Sequence, residues 1–474
     1  MSTEAKFKYL IVGFGPTGLS VLDQLLLKGV AASEIAIMGM KQSLEMSGLL
    51  KKTKANPDRD PILNSRKSKV YGVQKLGVDT SLLNDHTLGL ANFWGASHLP
   101  PVFYGLNYEG FFTQDDIKEA IFASARMMQI QAEAQHKFTD VLPIYGEEIG
   151  GISRKEVSNN WVNENNTDFI HSRLSIGGHR DSQNSCKSSG RCFKGCPSGA
   201  FWSPILELKH LIRENSELSM FYGEVSTIDL RQKSVSVVDS TPIFFETLFL
   251  CCGPKNSIKI LNQSNVTSEL MDYCYSPVVM QPFIIKATSE DEYENSHVLA
   301  DLVLPIFRER QISALAQIYF PTSELSSNIL SKIPVIFLPI LRMFPMKLLD
   351  LFLRRIGISM LFLENVEFGT TRKSILQLLT RPLKDLKSQL ELVDSKLLKI
   401  FKVIAIDGGS HHTGSLFLKS EKTKRGMNSD VFKNLKINGV YLADGLALVE
   451  IPPGPHTNTI CIIARCLAMD ALRN

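Results

Sequence analysis

A glycine turn close to the N-terminus is the strongest constraint on the fold of this 474-residue chain: Gly13-Phe14-Gly15-Pro16-Thr17-Gly18. An apolar strand pattern from Tyr9 to Val12 precedes it, and an amphipathic helix pattern continues to about Lys28. A second strand is predicted at 34–38. G-x-G-x-x-G between a strand and a helix indicates a dinucleotide-binding βαβ unit.

Each residue of the turn has a physical reason to be there. Gly13 permits the tight turn, Gly15 lets a pyrophosphate approach the backbone, and Gly18 lets the helix pack closely on the strand. Pro16 removes an amide that the first helical turn leaves without a partner. The candidate cofactor-binding residues here are therefore Gly13, Gly15, Pro16, Thr17 and Gly18.

The acid that binds the ribose in such units is missing. It is expected about 20 residues after the turn, but the residue 21 positions after Gly18 is Gly39. The adenosine ribose is then held by Lys41, Gln42 or backbone groups. Lys41 also suits the phosphate of NADP, so the turn alone leaves NAD, NADP and FAD open.

The last 65 residues hold a second pattern rich in chemistry. A strand, Val440 to Ala443, runs into Asp444 and Gly445, and a proline loop with His456 then opens a helix. Upstream, a short strand at 402–406 leads into a loop that carries His411 and His412. Histidine loops 45 positions apart, with an Asp-Gly between them, are more specific than either loop alone.

These residues resemble the glucose-methanol-choline (GMC) family of FAD oxidoreductases, and this chain is similar to a short, divergent, bacterial-type member. Asp444 and Gly445 match the family's Asp-Gly pair, and His456 matches its His-or-Asn position. Asn458 and Thr459 fall where the family's last helix faces the flavin. A positive helix end there stabilises negative charge on reduced flavin.

The upstream loop resembles the family's His-x-x-Gly-Thr segment. Spacing selects His411, with Ser415 in the threonine position, and a shift of one residue selects His412 instead. The resemblance implies that His456 and one of these two histidines are catalytic. One takes the hydroxyl proton of the substrate while hydride passes to flavin N5, and the other orients the oxygen.

Two further segments resemble the family. Residues 88–96 are similar to the segment that passes the flavin, which makes Asn92, Trp94 and Gly95 candidate cofactor-binding residues. Phe93 stands where covalently flavinylated branches carry histidine, so the resemblance implies non-covalent FAD. In the middle of the chain, Gly253 and Val225 match positions that meet the adenosine half.

The resemblance implies an α/β fold with a Rossmann-like FAD-binding domain assembled from separated segments. This domain takes residues 1–100, 180–270 and 405–474. An α+β substrate-binding domain with an antiparallel sheet and helices takes residues 101–179 and 271–404.

The implied activity is that of an FAD-dependent alcohol dehydrogenase or oxidase acting on a small alcohol or sugar-like substrate. Oxygen, a quinone and a redox protein all remain open as electron acceptors. Three alternatives also stay open: an NAD(P)-dependent reductase, a flavin-dependent mutase or isomerase, and a non-enzymatic flavoprotein on a membrane surface.

Composition excludes some classes of function. The net charge of +4, from 52 basic and 48 acidic residues, is too small for the electrostatic footprint of a nucleic-acid-binding protein. Eight cysteines without a signal-peptide pattern predict reduced thiols and a cytoplasmic protein. Cys186, Cys192 and Cys196 cluster, but a closed metal site needs a fourth ligand, so no metal is expected.

One region departs from the balanced average. Between Lys332 and Leu361, five basic residues and one acid alternate with leucine and phenylalanine. Such a segment suits contact with an anionic membrane surface on the inner face of a membrane, and it equally suits a helical cover of the substrate domain. Both interpretations stay open.

Overall fold

The structure of the chain is a computed structural model. It describes residues 6–39, 97–98, 112–128, 160–162, 168–174, 202, 204–266, 272–275, 277–285, 293, 300–308, 311–323, 325–326, 351–363, 366–367, 374, 377–398, 403–405, 412–415, 436–448, 453–454 and 456–474.

Within these ranges the longer helices are α1 (Pro16–Leu27), α2 (Gln114–Met127), α3 (Pro204–Glu214), α4 (Pro254–Gln263), α5 (Thr380–Leu392) and α6 (Thr457–Arg473). The strands are β1 (Lys6–Val12), β2 (Ile35–Gly39), β3 (Ser97–His98), β4 (Ile170–His171), β5 (Arg173–Leu174), β6 (Ser219–Tyr222), β7 (Val225–Asp229), β8 (Ser234–Val237), β9 (Ile243–Leu250), β10 (Asp272–Tyr275), β11 (Val278–Ile284), β12 (Leu302–Arg308), β13 (Gln311–Tyr319), β14 (Ile356–Leu363), β15 (Val366–Glu367), β16 (Lys396–Leu397), β17 (Val403–Ala405), β18 (His412–Ser415), β19 (Lys436–Ile437) and β20 (Val440–Leu442).

A mixed sheet carries the glycine turn. Its main path is β19-β20-β9-β1-β2-β6, and the hairpin β7-β8 is attached to β9. The central strands β20, β9, β1, β2 and β6 are mutually parallel. Because parallel strands end at the same edge, Gly13, Gly39, Tyr222, Cys251 and Ala443 come together there although they lie far apart in sequence.

The core of this sheet explains its strand composition. Leu10 and Ile11 of β1 are fully buried, as are Leu248 and Phe249 of β9. Both faces of these parallel strands are packed, and for this reason their sequences are continuously apolar. Helices α1, α2 and α6 pack on one another, and their apolar residues join the same core. Helix α2 lies in the stretch 101–179 that the sequence analysis assigned to the substrate-binding domain.

The second sheet is antiparallel and runs in the order β16-β11-β14-β13-β12-β4, with β17 also paired to β11. Alternate residues of its strands, such as Phe283 and Leu361, face a separate core with Trp161. Leu386 and Leu390, four positions apart on α5, pack into the same core.

A small third sheet has the strand order β15-β10-β18. Its strand β18 packs against α4 and against a 3₁₀ turn at Gly445–Ala447. The architecture confirms the α/β class with a Rossmann-like sheet and an antiparallel second sheet. In the described ranges, no helix is long and apolar enough to cross a membrane.

Candidate functional site

The glycine turn lies at the carboxyl edge of the mixed sheet, and backbone atoms pack closely against its first and third glycines. Gly13 has φ +125°, and a Cβ on it would lie 2.2 Å from the carbonyl oxygen of Cys251. A Cβ on Gly18 would lie 2.0 Å from the carbonyl oxygen of Gly13. Both contacts are with backbone atoms that cannot rotate away, so the turn requires glycine at both positions.

The N-terminus of α1 has the features of an anion-binding site. Its N-cap is Gly15, Pro16 follows at the first helical position, and no side chain of the described residues caps the helix. Its first turn carries no acidic residue. The free amides and the positive end of the helix dipole therefore point at the sheet edge without an internal negative charge to satisfy them.

Asp444 follows β20 and lies inside the protein beside this turn. Its Oδ2 accepts a hydrogen bond from Ser257 Oγ at 2.5 Å, and its Oδ1 accepts one from the Leu446 amide at 2.9 Å. The Gly253 amide also donates to it. Burial raises the pKa of Asp444 to about 6, and these hydrogen bonds oppose that rise only in part.

A second helix N-terminus reaches the same edge. Gly253 is the N-cap of α4, has φ +85°, and has open space around the position of a Cβ. The preceding Cys251 accepts a hydrogen bond from Thr17, and Cys252 Sγ lies 3.2 Å from Ser257 Oγ. Burial raises the pKa of both thiols, that of Cys252 to about 12, so both are protonated at neutral pH.

His456 is the N-cap of α6 and is buried. Its Nδ1 lies 3.4 Å from the carbonyl oxygen of Gly454. The tautomer that donates from Nδ1 to this oxygen carries no proton on Nε2.

The first turn of α6 holds the other two candidates of this helix. Asn458 Oδ1 accepts a hydrogen bond from Ser124 Oγ of α2 at 2.7 Å, which ties the two helices together. Thr459 is fully buried, and within the described residues its Oγ1 has no hydrogen-bond partner. A buried hydroxyl without a partner is costly, which marks this position as one that a ligand can satisfy.

The remaining candidates are placed as follows. The backbone of His412 pairs with Tyr275, and its strand β18 packs against the turn that follows Asp444. Val225 is the first residue of β7. Several predicted residues lie outside the described ranges, namely His411, Asn92, Trp94, Gly95, Lys41, Gln42 and the cysteines 186, 192 and 196.

Sequence reasoning missed two features of this site. Ser257, which donates to the Asp444 carboxylate, was not among the candidate site residues, because a serine in the first turn of a helix is common and nothing local pairs it with Asp444. Phe14, inside the glycine motif, covers Gly39: a Cβ on that glycine would lie 2.5 Å from the Phe14 ring. In the part of the chain that the structure describes, no group of three or more His, Cys, Asp or Glu residues could hold a metal ion.

A parallel sheet with a G-x-G-x-x-G turn at its carboxyl edge, joined to an antiparallel sheet, defines a dinucleotide-binding fold. No protein-family model and no curated protein sequence matches the chain. Solved structures do. Pyridoxine 4-oxidase from Mesorbium loti aligns with a TM-score of 0.55 at 10% identity, over 99% of this chain and 99% of that one.

Formate oxidase aligns with a TM-score of 0.52 at 11% identity, over 100% of this chain and 99% of that one. The Aspergillus oryzae RIB40 formate oxidase, solved in a study of FAD modification, aligns with a TM-score of 0.50 at 11% identity over the same shares. The chain therefore has a GMC oxidoreductase-like fold, as the sequence resemblance implied. At this level of identity, the likeness shows the fold alone.

Proposed function

We propose that this protein is an FAD-dependent oxidoreductase that oxidises a CH–OH group. The observation that carries the proposal is the convergence of three sequence-distant parts at one sheet edge. These are the glycine turn with the open N-terminus of α1, the buried Asp444, and the N-terminus of α6 with His456. The fold that this chain shares with pyridoxine 4-oxidase and formate oxidase supports it.

The residues of the site fit FAD. Gly13, Gly15 and the first amides of α1 would hold the pyrophosphate, because a Cβ on Gly13 is excluded and the helix end is uncapped. The N-terminus of α6 would meet the flavin ring with Asn458 and with the hydroxyl of Thr459, which has no hydrogen-bond partner among the residues that the structure describes. Bound FAD supplies the acceptor for the hydride that leaves the substrate carbon.

His456 supplies the base. In this proposal Nδ1 donates to the Gly454 carbonyl, and Nε2 takes the hydroxyl proton of the substrate. Burial of the ring keeps bulk water away from this proton transfer. In this proposal a histidine of the 411–412 pair orients the substrate oxygen, and the packing of β18 against the turn after Asp444 supports that placement.

The first experiment is the visible spectrum of the purified full-length protein, before and after acid precipitation. We expect flavin bands that move into the supernatant, since the proposal includes non-covalent FAD. Flavin that stays in the pellet would show covalent attachment. A colourless protein that takes up no added FAD contradicts the proposal and favours an NAD(P)-dependent reductase.

The second experiment tests the base. We expect His456→Ala to retain flavin but to slow flavin reduction by an alcohol substrate by about 10² or more, the usual worth of a positioned general base. His210→Ala is the matched control. His210 lies on α3, a different helix from that of His456, and it contacts Arg213 of its own helix. Unchanged reduction kinetics in His456→Ala would remove His456 from the mechanism. Flavin that no alcohol reduces in the wild type favours a mutase or isomerase.

A further inference from the structure

The end of β2 cannot carry the acid that usually binds the adenosine ribose. Phe14 is buried, and its ring occupies the space above Gly39, where a Cβ would meet three ring carbons at 2.5 to 2.7 Å. The ring is held in place by Tyr222, with the centroids 6.1 Å apart and the planes at 81°. An aspartate or glutamate at position 39 would therefore have to displace this aromatic pair.

The neighbouring strand brings an acid to the same place. Gly39 is the register partner of Tyr222 on β6, and the Gly223 amide donates to the Gly39 carbonyl at 3.1 Å. A Cβ on Gly223 would point at Val237, away from Phe14. Glu224 follows Gly223 at the bend where the chain leaves β6, one residue before it enters β7.

The carboxylate of Glu224 is oriented by a helix of the site. Its Oε1 accepts a hydrogen bond from Lys259 Nζ of α4 at 2.8 Å, and both side chains are about half exposed. An exposed ion pair adds little stability. The contact engages one carboxylate oxygen, Oε1, and leaves the lone pairs of Oε2 for another donor.

We propose that Glu224 binds the ribose hydroxyls of the adenosine half of the cofactor, in place of the missing acid of β2. This inference rests on the proposed function only in requiring a ligand with an adenosine ribose. A carboxylate at this position accepts hydrogen bonds from a free diol and disfavours a 2′-phosphate. The proposal therefore selects FAD or NAD over NADP.

The test compares the affinity of the full-length apoprotein for FAD, by quenching of flavin fluorescence, in the wild type, Glu224→Ala and Glu214→Ala. Glu214 on α3 is the matched control, an equally exposed glutamate paired with Arg213. We expect Glu224→Ala to raise the Kd for FAD about tenfold, the effect of losing a hydrogen bond to a charged group. We expect Glu214→Ala to leave it unchanged. An unchanged Kd in Glu224→Ala overturns the inference.

A second arm identifies the group that Glu224 contacts. Calorimetric titration with ADP and with its 2′,3′-dideoxyribose analogue is expected to show that Glu224→Ala weakens ADP and leaves the analogue unaffected. An equal loss for both ligands overturns the inference, because Glu224 then only shapes the site. ADP binding that depends on Glu224 without any FAD binding leaves the inference standing and removes the proposed function. Binding of neither ligand to the wild type overturns both.

A rescue variant keeps the test independent of local damage. We expect Gly39→Glu alone to lose thermal stability, because its side chain collides with Phe14. Adding Phe14→Ala makes room for it. In the Glu224→Ala background this pair is expected to restore the affinity for ADP but not for the dideoxy analogue. Failure to restore it in a folded triple variant counts against the inference.

Discussion

Asp444 illustrates at the scale of one residue how burial changes a carboxyl group. It is fully enclosed, and its donors are the Ser257 hydroxyl and the amides of Leu446 and Gly253. Desolvation disfavours its charged form, which raises its pKa to about 6. Above that pH the folded protein holds a buried negative charge, and below it a neutral acid.

The pH dependence of folding follows from this rise. Because the folded state binds the proton more tightly than the unfolded chain does, Asp444 makes the protein less stable as the pH rises from about 4 to about 6. Asparagine cannot ionise. We therefore expect the unfolding free energy of Asp444→Asn, relative to the wild type, to increase by about 3 kcal/mol across this window and then to level off.

Urea unfolding at intervals between pH 4 and pH 7 measures this difference. The same substitution at the exposed Asp239 controls for the loss of one charge. Parallel curves for Asp444→Asn and the wild type would contradict the raised pKa.

At the scale of elements, three helices are joined through one buried cation. Arg465 of α6 is fully buried, and its guanidinium donates to Asp23 Oδ2 at 2.6 Å and to Gln24 Oε1 at 3.1 Å on α1. It also lies 3.2 Å from Met127 Sδ at the end of α2. The helix that carries His456 is thus anchored to the helix that follows the glycine turn.

Removing the Arg465 guanidinium takes the cation of this buried ion pair away from Asp23. We expect Arg465→Met to lower the unfolding free energy by about 3 to 5 kcal/mol, the usual cost of breaking a buried ion pair. Arg465→Met combined with Asp23→Leu should cost less than the sum of the two single changes. Denaturant unfolding measures both.

Arg473→Met is the control on the same helix. Arg473 also pairs with an acid, Asp116, at 2.8 Å, but its side chain is 48% exposed. We expect a loss of about 1 kcal/mol or less, because the guanidinium of this pair is half exposed to water. An equal loss at both arginines would show that burial does not set the cost.

At the scale of the whole molecule, the basic apolar region remains the feature that the proposed chemistry does not use. Its described part begins at Leu351 and Phe352, which are 47% and 50% exposed, and Arg354 and Arg355 follow directly. Arg354 lies over the ring of Tyr293 at 5.4 Å. Exposed apolar anchors beside cations suit the headgroup region of an anionic bilayer.

We expect the protein to sediment with vesicles that contain phosphatidylglycerol more than with pure phosphatidylcholine vesicles. Serine at both Leu351 and Phe352 should lower the bound fraction, because the apolar anchors are lost. Phe307→Ser is the control, since Phe307 is 51% exposed at the far end of the second sheet. Equal binding of all three proteins would assign the region to a structural cover instead.

The sequence predicted the local elements of the site well. The glycine turn, the strand before it, the strand before Asp444 and the terminal helix all lie where periodicity placed them, because these patterns depend only on near neighbours. The assigned roles of the site residues stay predictions.

Other parts of the site have no local signal. Ser257 reaches Asp444 across 187 positions, and Phe14 covers Gly39 only because β1 and β2 lie side by side. The sequence by itself therefore determined the dinucleotide-binding unit and the chemistry carried by its motifs. Only the tertiary structure decided which glycine the Phe14 ring covers and which carboxyl is buried, because both depend on contacts between segments that no spacing rule connects.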